Sequence, residues 1–309
     1  MKRRHLISLH DLSADKVQEI LTLAAEVKAH PKQYKDTLKL KTLAMLFEKP
    51  SLRTRVTFET GMTQLGGHAI YLAQDVGLGK RESVSDIAKN LGRWVDGIMA
   101  RTFAHKTVTD LAEYAGVPVI NGLTDLSHPC QALADYLTIQ EKFGDLKGRK
   151  IAYVGDGNNV THSLMFGAAK LGMEIRVATP AGFEPKAEVV AMAREDAQET
   201  GAKIEIMQDP HEAVRGVDAV YTDVWASMGQ ESEAGDRAKI FPPYQVNSKL
   251  MAGAAPHAVF LHCLPAHRND EVTDEVLDGP QSVILDEAEN RLHAQKAVMI
   301  LLMGKKKKK

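Results

Sequence analysis

The stretch "FEKPSLRTR", residues 47–55, places Ser51, Arg53, Thr54 and Arg55 directly behind the apolar run "LAMLF". Pro50 and Ser51 are residue types that start a helix. A helix N-terminus offers free backbone N–H groups and a partial positive charge, and hydroxyls with an arginine fork add donors suited to a tetrahedral oxyanion. Phosphate is the natural guest. The simpler alternative is that Ser51 only caps the helix while the arginines are solvated or pair with Glu48 and Glu59. Arg101 follows a second apolar run, "DGIMA", and His128 and Gln131 open a helical segment after "VPVINGLTDLS". Three residues apart, His128 and Gln131 share a helix face from which both can hydrogen-bond a carbonyl or an amide.

A second group lies in the later half. "VGDGNNVTHS", residues 154–163, resembles a dinucleotide loop, but Val160 stands where a third glycine belongs and no ribose-binding acid follows "MEIRVATP". A nicotinamide cofactor is therefore disfavoured. Asn158 and Asn159 can cap a helix, and an asparagine at a strand end can also grip a zwitterionic substrate. Asp223 follows "DAVYT", with Ser227 and Met228 just beyond it, and Cys263 sits between His262 and Leu264 after "AVFL". An acid and a thiol at neighbouring strand ends could bind an amine. As a nucleophile Cys263 is poorly served, because adjacent residues on a strand point to opposite faces and His262 is its neighbour. Metal-ligand spacings of the H-E-x-x-H or paired C-x-x-C kind are missing, so neither a metal nor a cofactor is expected.

These residues need strands and helices to place them, and the pattern supplies both. Residues 14–29 put Val17, Ile20, Leu21, Leu23, Ala24 and Val27 on one helical face. Short apolar runs recur as "TLAMLF", "AIYLA", "GIMA", "VPVI", "KIAYVG", "EIRVAT", "KIEIM", "DAVYTDV", "AVFLHCL" and "SVILDE". Between many of them lie helix-length segments such as 83–95, 107–115 and 186–199. The expected fold class is α/β, two similar-sized domains, each a parallel sheet flanked by helices. Ligands of such sheets bind beyond the carboxyl ends of the strands, where every candidate above lies. "FGDLKGRK" interrupts the pattern near residues 143–150 and marks the boundary between a domain at 1–143 and one at 144–289.

With 309 residues, 44% hydrophobic and 26% charged, and a formal net charge of −1, the chain has the composition of an ordinary globular protein. That balance implies neither a nucleic-acid partner nor an anionic membrane. No apolar run approaches the roughly 20 residues that span a bilayer, and a cytoplasmic location is expected. Cys130 and Cys263 are the only cysteines and lie far apart, which argues against a disulfide framework. The lysine run at residues 305–309 is read as a solvated tail.

In order along the chain, "SLRTR", Arg101, "HPCQ", "GDGNN", "DVWASMG", "HCLP" and "DEAENR" resemble the aspartate/ornithine carbamoyltransferase superfamily, with "SMG" and "HCLP" pointing to its ornithine branch. The resemblance implies transfer of a carbamoyl group from carbamoyl phosphate to L-ornithine, giving L-citrulline and phosphate in arginine metabolism. It implies that Ser51, Leu52, Arg53, Thr54, Arg101, His128, Gln131, Cys263, Leu264 and Arg291 bind carbamoyl phosphate. Arg101, His128, Cys263 and Arg291 would be the catalytic groups, and Asn159, Asp223, Ser227, Met228 and Cys263 would bind ornithine. It further implies a C-terminal helix at about 290–304 that returns to the first domain, and a homotrimer or an assembly of trimers. In the loop that reaches a neighbouring subunit in this family, Gly77 stands where many relatives carry Gln or His. Alternative acceptors are putrescine, N-acetylornithine or aspartate, and a noncatalytic phosphometabolite-binding protein is the alternative of another class.

Overall fold

The computed structural model describes residues 5–73, 78–79, 81–226 and 231–304. The chain divides into two compact units, one of Met1–Leu137 with Glu289–Lys309 and the other of Thr138–Ala288.

The first unit is built on β1 (Thr42–Phe47), β2 (His68–Leu72), β3 (Gly97–Arg101) and β4 (Val119–Leu123), hydrogen-bonded in the order β2-β1-β3-β4. All pairs are parallel. The second unit carries β5 (Lys150–Val154), β6 (Glu174–Ala178), β7 (Lys203–Met207), β8 (Ala219–Thr222) and β9 (Val259–His262) in the order β7-β6-β5-β8-β9, again all parallel. A parallel strand covered on both faces cannot show a polar side, and this is why β1 and β3 read as unbroken apolar runs. Every residue of β3 is buried.

Helices fill the connections. They are α1 (Ala14–Ala29), α2 (Leu52–Gln64), α3 (Val84–Trp94), α4 (His105–Tyr114), α5 (Pro129–Phe143), α6 (Asn159–Leu171) and α7 (Ala187–Thr200). They continue with the short α8 (Pro210–Ala213), α9 (Ala234–Ile240), α10 (Ser248–Met251) and α11 (Asp274–Leu277), then the long α12 (Ile284–Met303). In the first unit one sheet face, Ala44, Leu46, Ile98 and Ala100, packs with Ile87, Ala88 and Leu91 of α3 and Val108 and Leu111 of α4. In the second, Ala152, Val154, Val220 and Phe260 form the sheet side of a core with Ala213, Leu250 and Leu277. Among the described residues no helix is long and apolar enough to cross a membrane.

The run "SVILDE" departs from expectation. It forms no strand; Ser282 makes an isolated bridge to Phe260, and α12 begins two residues later at Ile284. A short apolar run fits the buried start of a helix as well as it fits a strand, and the 20-residue length of α12 decides the matter. The later part of α12 belongs to the first unit. There Lys28 Nζ donates to Asn290 Oδ1 at 2.9 Å and Lys296 Nζ to Gln64 Oε1 at 2.9 Å. Gly61 on α2 lets α12 close in, since a Cβ there would stand 2.8 Å from Met299 Cε.

Candidate functional site

Strand order puts both candidate groups at topological switch points, the places where open parallel sheets leave a crevice beyond their carboxyl ends. In the first unit the order reverses between β1 and β3, whose last residues, Phe47 and Arg101, are register partners. Arg101 is buried there, 6% exposed. The chain leaving β1 turns into α2, capped by Ser51, whose Oγ accepts from the Thr54 N–H at 3.3 Å. Leu52 points its side chain outward, 75% exposed, so only its backbone N–H is available to a ligand. The simple reading of this stretch holds for part of it: Arg55 Nε donates to Glu59 Oε1 at 3.0 Å, and its guanidinium lies 3.8 Å from the Tyr71 ring centroid.

Arg53 belongs to a different set. It stands with Arg101 and Arg291 near enough to His128 for all three charges to disfavour an imidazolium. Burial is the larger cause, and together they hold the His128 pKa well below the usual histidine value. His128 is thus neutral and able to donate a hydrogen bond to a carbonyl without adding a further cation. Arg291, 2% exposed on α12, is tied down at both ends of its fork. Its Nη1 donates to Gln131 Oε1 at 2.6 Å and its Nη2 to Thr54 Oγ1 at 3.2 Å. Gln131 Nε2 in turn donates to the buried Asp135 Oδ1 at 2.8 Å. Three guanidinium groups near one imidazole make a site whose local charge favours an anionic guest. Cys130, in the same segment, is pushed up to about 12 by burial and donates to Asn121 O at 3.4 Å, which leaves it inert.

In the second unit the order reverses between β5 and β8, so "GDGNN" after β5 and Asp223 after β8 meet. Asp223 Oδ1 accepts from Cys263 Sγ at 3.0 Å and from the Val224 N–H at 2.8 Å. Its Oδ2 accepts from Asn158 Nδ2 at 2.8 Å. Asn158 is the N-cap of α6, and Asn159 is the first helical residue. Gly157 serves packing rather than phosphate: a Cβ there would stand 2.2 Å from Pro185 N. Nearby, Asp156 is pushed up to about 6, chiefly by burial, with Arg237 opposing through an ion pair at 3.0 Å.

His262 is committed elsewhere. Its Nδ1 accepts from the Leu264 N–H at 2.9 Å, so Nε2 carries the proton and donates to the buried Glu271 Oε1 at 3.0 Å. The ring therefore cannot serve as base to Cys263, and it positions the backbone at Leu264 instead. Ligand atoms of Asp223, His262 and Cys263 lie within 4.8 Å of one another. A cation there would have to displace the Glu271 or Leu264 bond of His262 and the proton of Cys263. Cys263 and Leu264, expected in the phosphate set, belong with Asp223 to the second unit. Ser227, Met228, Gly77 and the lysine tail lie outside the described residues. Sequence reasoning offers Asn158 as a cap or as a grip on a zwitterionic substrate and misses its donation to Asp223, and nothing in the sequence pointed to Glu271.

Two family models match in succession. The "Aspartate/ornithine carbamoyltransferase, carbamoyl-P binding domain" matches residues 4–141, and the "Aspartate/ornithine carbamoyltransferase, Asp/Orn binding domain" matches residues 147–302. An ornithine carbamoyltransferase of Pyrococcus abyssi is 57% identical over 307 residues, covering 98% of this chain and 97% of its own. An anabolic ornithine carbamoyltransferase of Pyrococcus furiosus is 57% identical over 304 residues, 97% and 96% of the two chains. The solved ornithine carbamoyltransferase from Pyrococcus furiosus superposes with a TM-score of 0.95 at 56% identity, covering 98% of each chain.

Proposed function

This chain belongs to the aspartate/ornithine carbamoyltransferase family, and on that premise we propose how its residues carry a carbamoyl group from carbamoyl phosphate to the side-chain amine of L-ornithine. The products are L-citrulline and phosphate, and the reaction is a step of arginine biosynthesis. The observation that carries the chemistry is the buried Arg291 on α12, whose fork donates to Gln131 beside His128 and to Thr54 at the start of α2.

Carbamoyl phosphate joins a dianionic phosphoryl group to a small amide carbonyl. Ser51, Leu52, Arg53 and Thr54, at the start of α2, bind the phosphoryl oxygens, Leu52 through its backbone alone. Arg101 spans phosphate and carbonyl, while His128 and Gln131 hydrogen-bond the carbamoyl group. Arg291, with the backbone at Cys263 and Leu264, completes this set by resemblance. Asn159 and the segment at Ser227 and Met228 take the α-amino acid end of ornithine, and Asp223 and Cys263 orient its amine. The amine reacts as the free base, so ornithine gives up one proton on the way to attack. Its nitrogen lone pair forms the C–N bond, the C–O bond to phosphorus breaks, and phosphate leaves with that electron pair. The second amine proton is balanced by phosphate leaving as its monohydrogen form. Arginine charges gain most as negative charge builds on the carbonyl oxygen and leaving phosphate, which is where preorganised donors accelerate a reaction.

Direct transfer makes Cys263 a holder of the amine and not an acylated nucleophile. Its thiol donates to Asp223, and its neighbour His262 has both ring nitrogens engaged. Mass spectrometry of the enzyme quenched with carbamoyl phosphate alone is expected to find Cys263 unmodified, and Cys263→Ala is expected to bind ornithine more weakly yet still form citrulline. A carbamoylated Cys263 that turns over on adding ornithine would replace this mechanism by a covalent one. A homotrimer, or an assembly of trimers, in the cytoplasm belongs to the same proposal. The exposed apolar side chains Leu52 and Val56 on α2 and Ile70 on β2 support such an assembly.

A further inference from the structure

Asn158 satisfies two partners at once, and the first fixes the second. As the N-cap of α6 it must turn its amide oxygen to the helix, where Oδ1 accepts from the Val160 N–H at 2.9 Å and the Thr161 N–H at 3.2 Å. An amide whose oxygen is held by two N–H groups has its nitrogen direction decided as well. That nitrogen meets Asp223 Oδ2 at 2.8 Å, while Oδ1 of the same carboxylate is held by Cys263 and the Val224 N–H. The rotation of the Asp223 side chain is thereby locked from both oxygens, and the lock on Oδ2 comes from the helix cap.

We propose that Asn158 is a positioning residue for the acceptor amine: by donating to Asp223 Oδ2 it sets the orientation in which that carboxylate receives the side-chain nitrogen of ornithine. This rests on the ornithine reading above and adds to it a residue that does not itself touch the substrate. The competing role, a cap and nothing more, makes different demands. For a cap, Asn, Asp and Ser are nearly equivalent. Toward Asp223 they are not: Asn158→Ser leaves no second donor with the reach of an amide, and Asn158→Asp sets a carboxylate against a carboxylate.

The test compares Asn158→Ser, Asn158→Asp and Asn158→Ala. It follows the KM and kcat for ornithine, the KM for carbamoyl phosphate, the thermal midpoint, and inhibition by L-norvaline, which keeps the α-amino acid end of ornithine and lacks the amine. Asn158→Ser is expected to keep the wild-type midpoint and to lose about tenfold in kcat/KM for ornithine, the scale of one hydrogen bond to a charged group. Asn158→Asp is expected to lose more and to melt earlier, because its carboxylate faces that of Asp223, and Asn158→Ala to lose both activity and midpoint. In the Ser and Asp variants the KM for carbamoyl phosphate and the inhibition constant of norvaline stay within about twofold of wild type, since both avoid Asp223.

Wild-type ornithine kinetics in Asn158→Ser and Asn158→Asp would reduce Asn158 to a cap. Parallel weakening of ornithine and norvaline would also overturn the proposal, because the substitution would then act through Asn159 and the α-amino acid end. Absence of ornithine turnover in the wild-type enzyme would overturn the ornithine reading itself, and that control separates the two failures.

Discussion

Arg291→Lys is expected to lower kcat/KM for carbamoyl phosphate by about 100-fold or more while the protein still folds. Lysine keeps the charge but loses the fork through which Nη1 reaches Gln131 and Nη2 reaches Thr54. A planar fork and a flexible ammonium are not interchangeable where two partners are bound at fixed angles, and one preorganised donor at a developing anion is worth about 10²–10³ in rate. Arg291→Met removes the charge as well and reports on His128. That histidine is held neutral by burial and by the charges of Arg291, Arg101 and Arg53. The unfolded chain takes up a proton near pH 6.5 that the folded chain refuses, so His128 costs stability as pH falls below about 6.5. With Arg291 gone the folded-state pKa moves back up toward that value, and the acid loss of stability becomes smaller. Steady-state kinetics of Arg291→Lys and denaturant melts of Arg291→Met from pH 8 to pH 4 read the two effects. Wild-type carbamoyl-phosphate kinetics in Arg291→Lys would remove this arginine from the site.

Asp223→Asn is expected to reduce kcat/KM for ornithine by about 10²–10³ and to leave carbamoyl-phosphate binding unchanged. The substitution removes the carboxylate charge that pairs with the amine beside Cys263, and it does more than neutralise. The oxygen that stays can still accept from Cys263 and Val224, but the new NH₂ takes the place of Oδ2 and meets Asn158 Nδ2, donor against donor, at what is now a 2.8 Å hydrogen bond. Losing a charge pair and leaving a buried donor unsatisfied each cost about 1–3 kcal/mol, which together give the expected range. Calorimetry with carbamoyl phosphate alone and steady-state titration with ornithine separate the two substrates. Unimpaired ornithine kinetics would exclude Asp223 as the amine's partner.

The order of strands and helices was legible because parallel strands buried on both faces leave short, continuous apolar runs, and nine of the ten runs singled out became β1 to β9. The tenth, "SVILDE", failed for the same reason in reverse, since the buried start of α12 leaves a run of the same kind. The proposed anion set was legible in part. Ser51 and Arg53 could be seen as cap and donor, but only the fold separates Arg53, grouped with His128, from Arg55, spent on Glu59 and Tyr71. Arg291 lies more than 230 positions from Thr54, and no local pattern announces that hydrogen bond. In "GDGNN" the glycine spacing speaks against a dinucleotide loop, whereas the reason for Gly157 is a backbone approach at Pro185 that no spacing encodes. The double duty of Asn158 was hidden because a cap is a complete explanation of an asparagine until its amide nitrogen is followed to Asp223.

The central claim is that one chain holds carbamoyl phosphate and delivers its carbamoyl group to the side-chain amine of ornithine. The most direct measurement incubates the purified protein with carbamoyl phosphate and, separately, ornithine, putrescine, N-acetylornithine or aspartate, and quantifies phosphate and the carbamoylated product together. Citrulline and phosphate in equal amounts with ornithine, and background with the other three, is the predicted result. Turnover confined to a different amine, or phosphate release with no carbamoylated product from any of them, would contradict it.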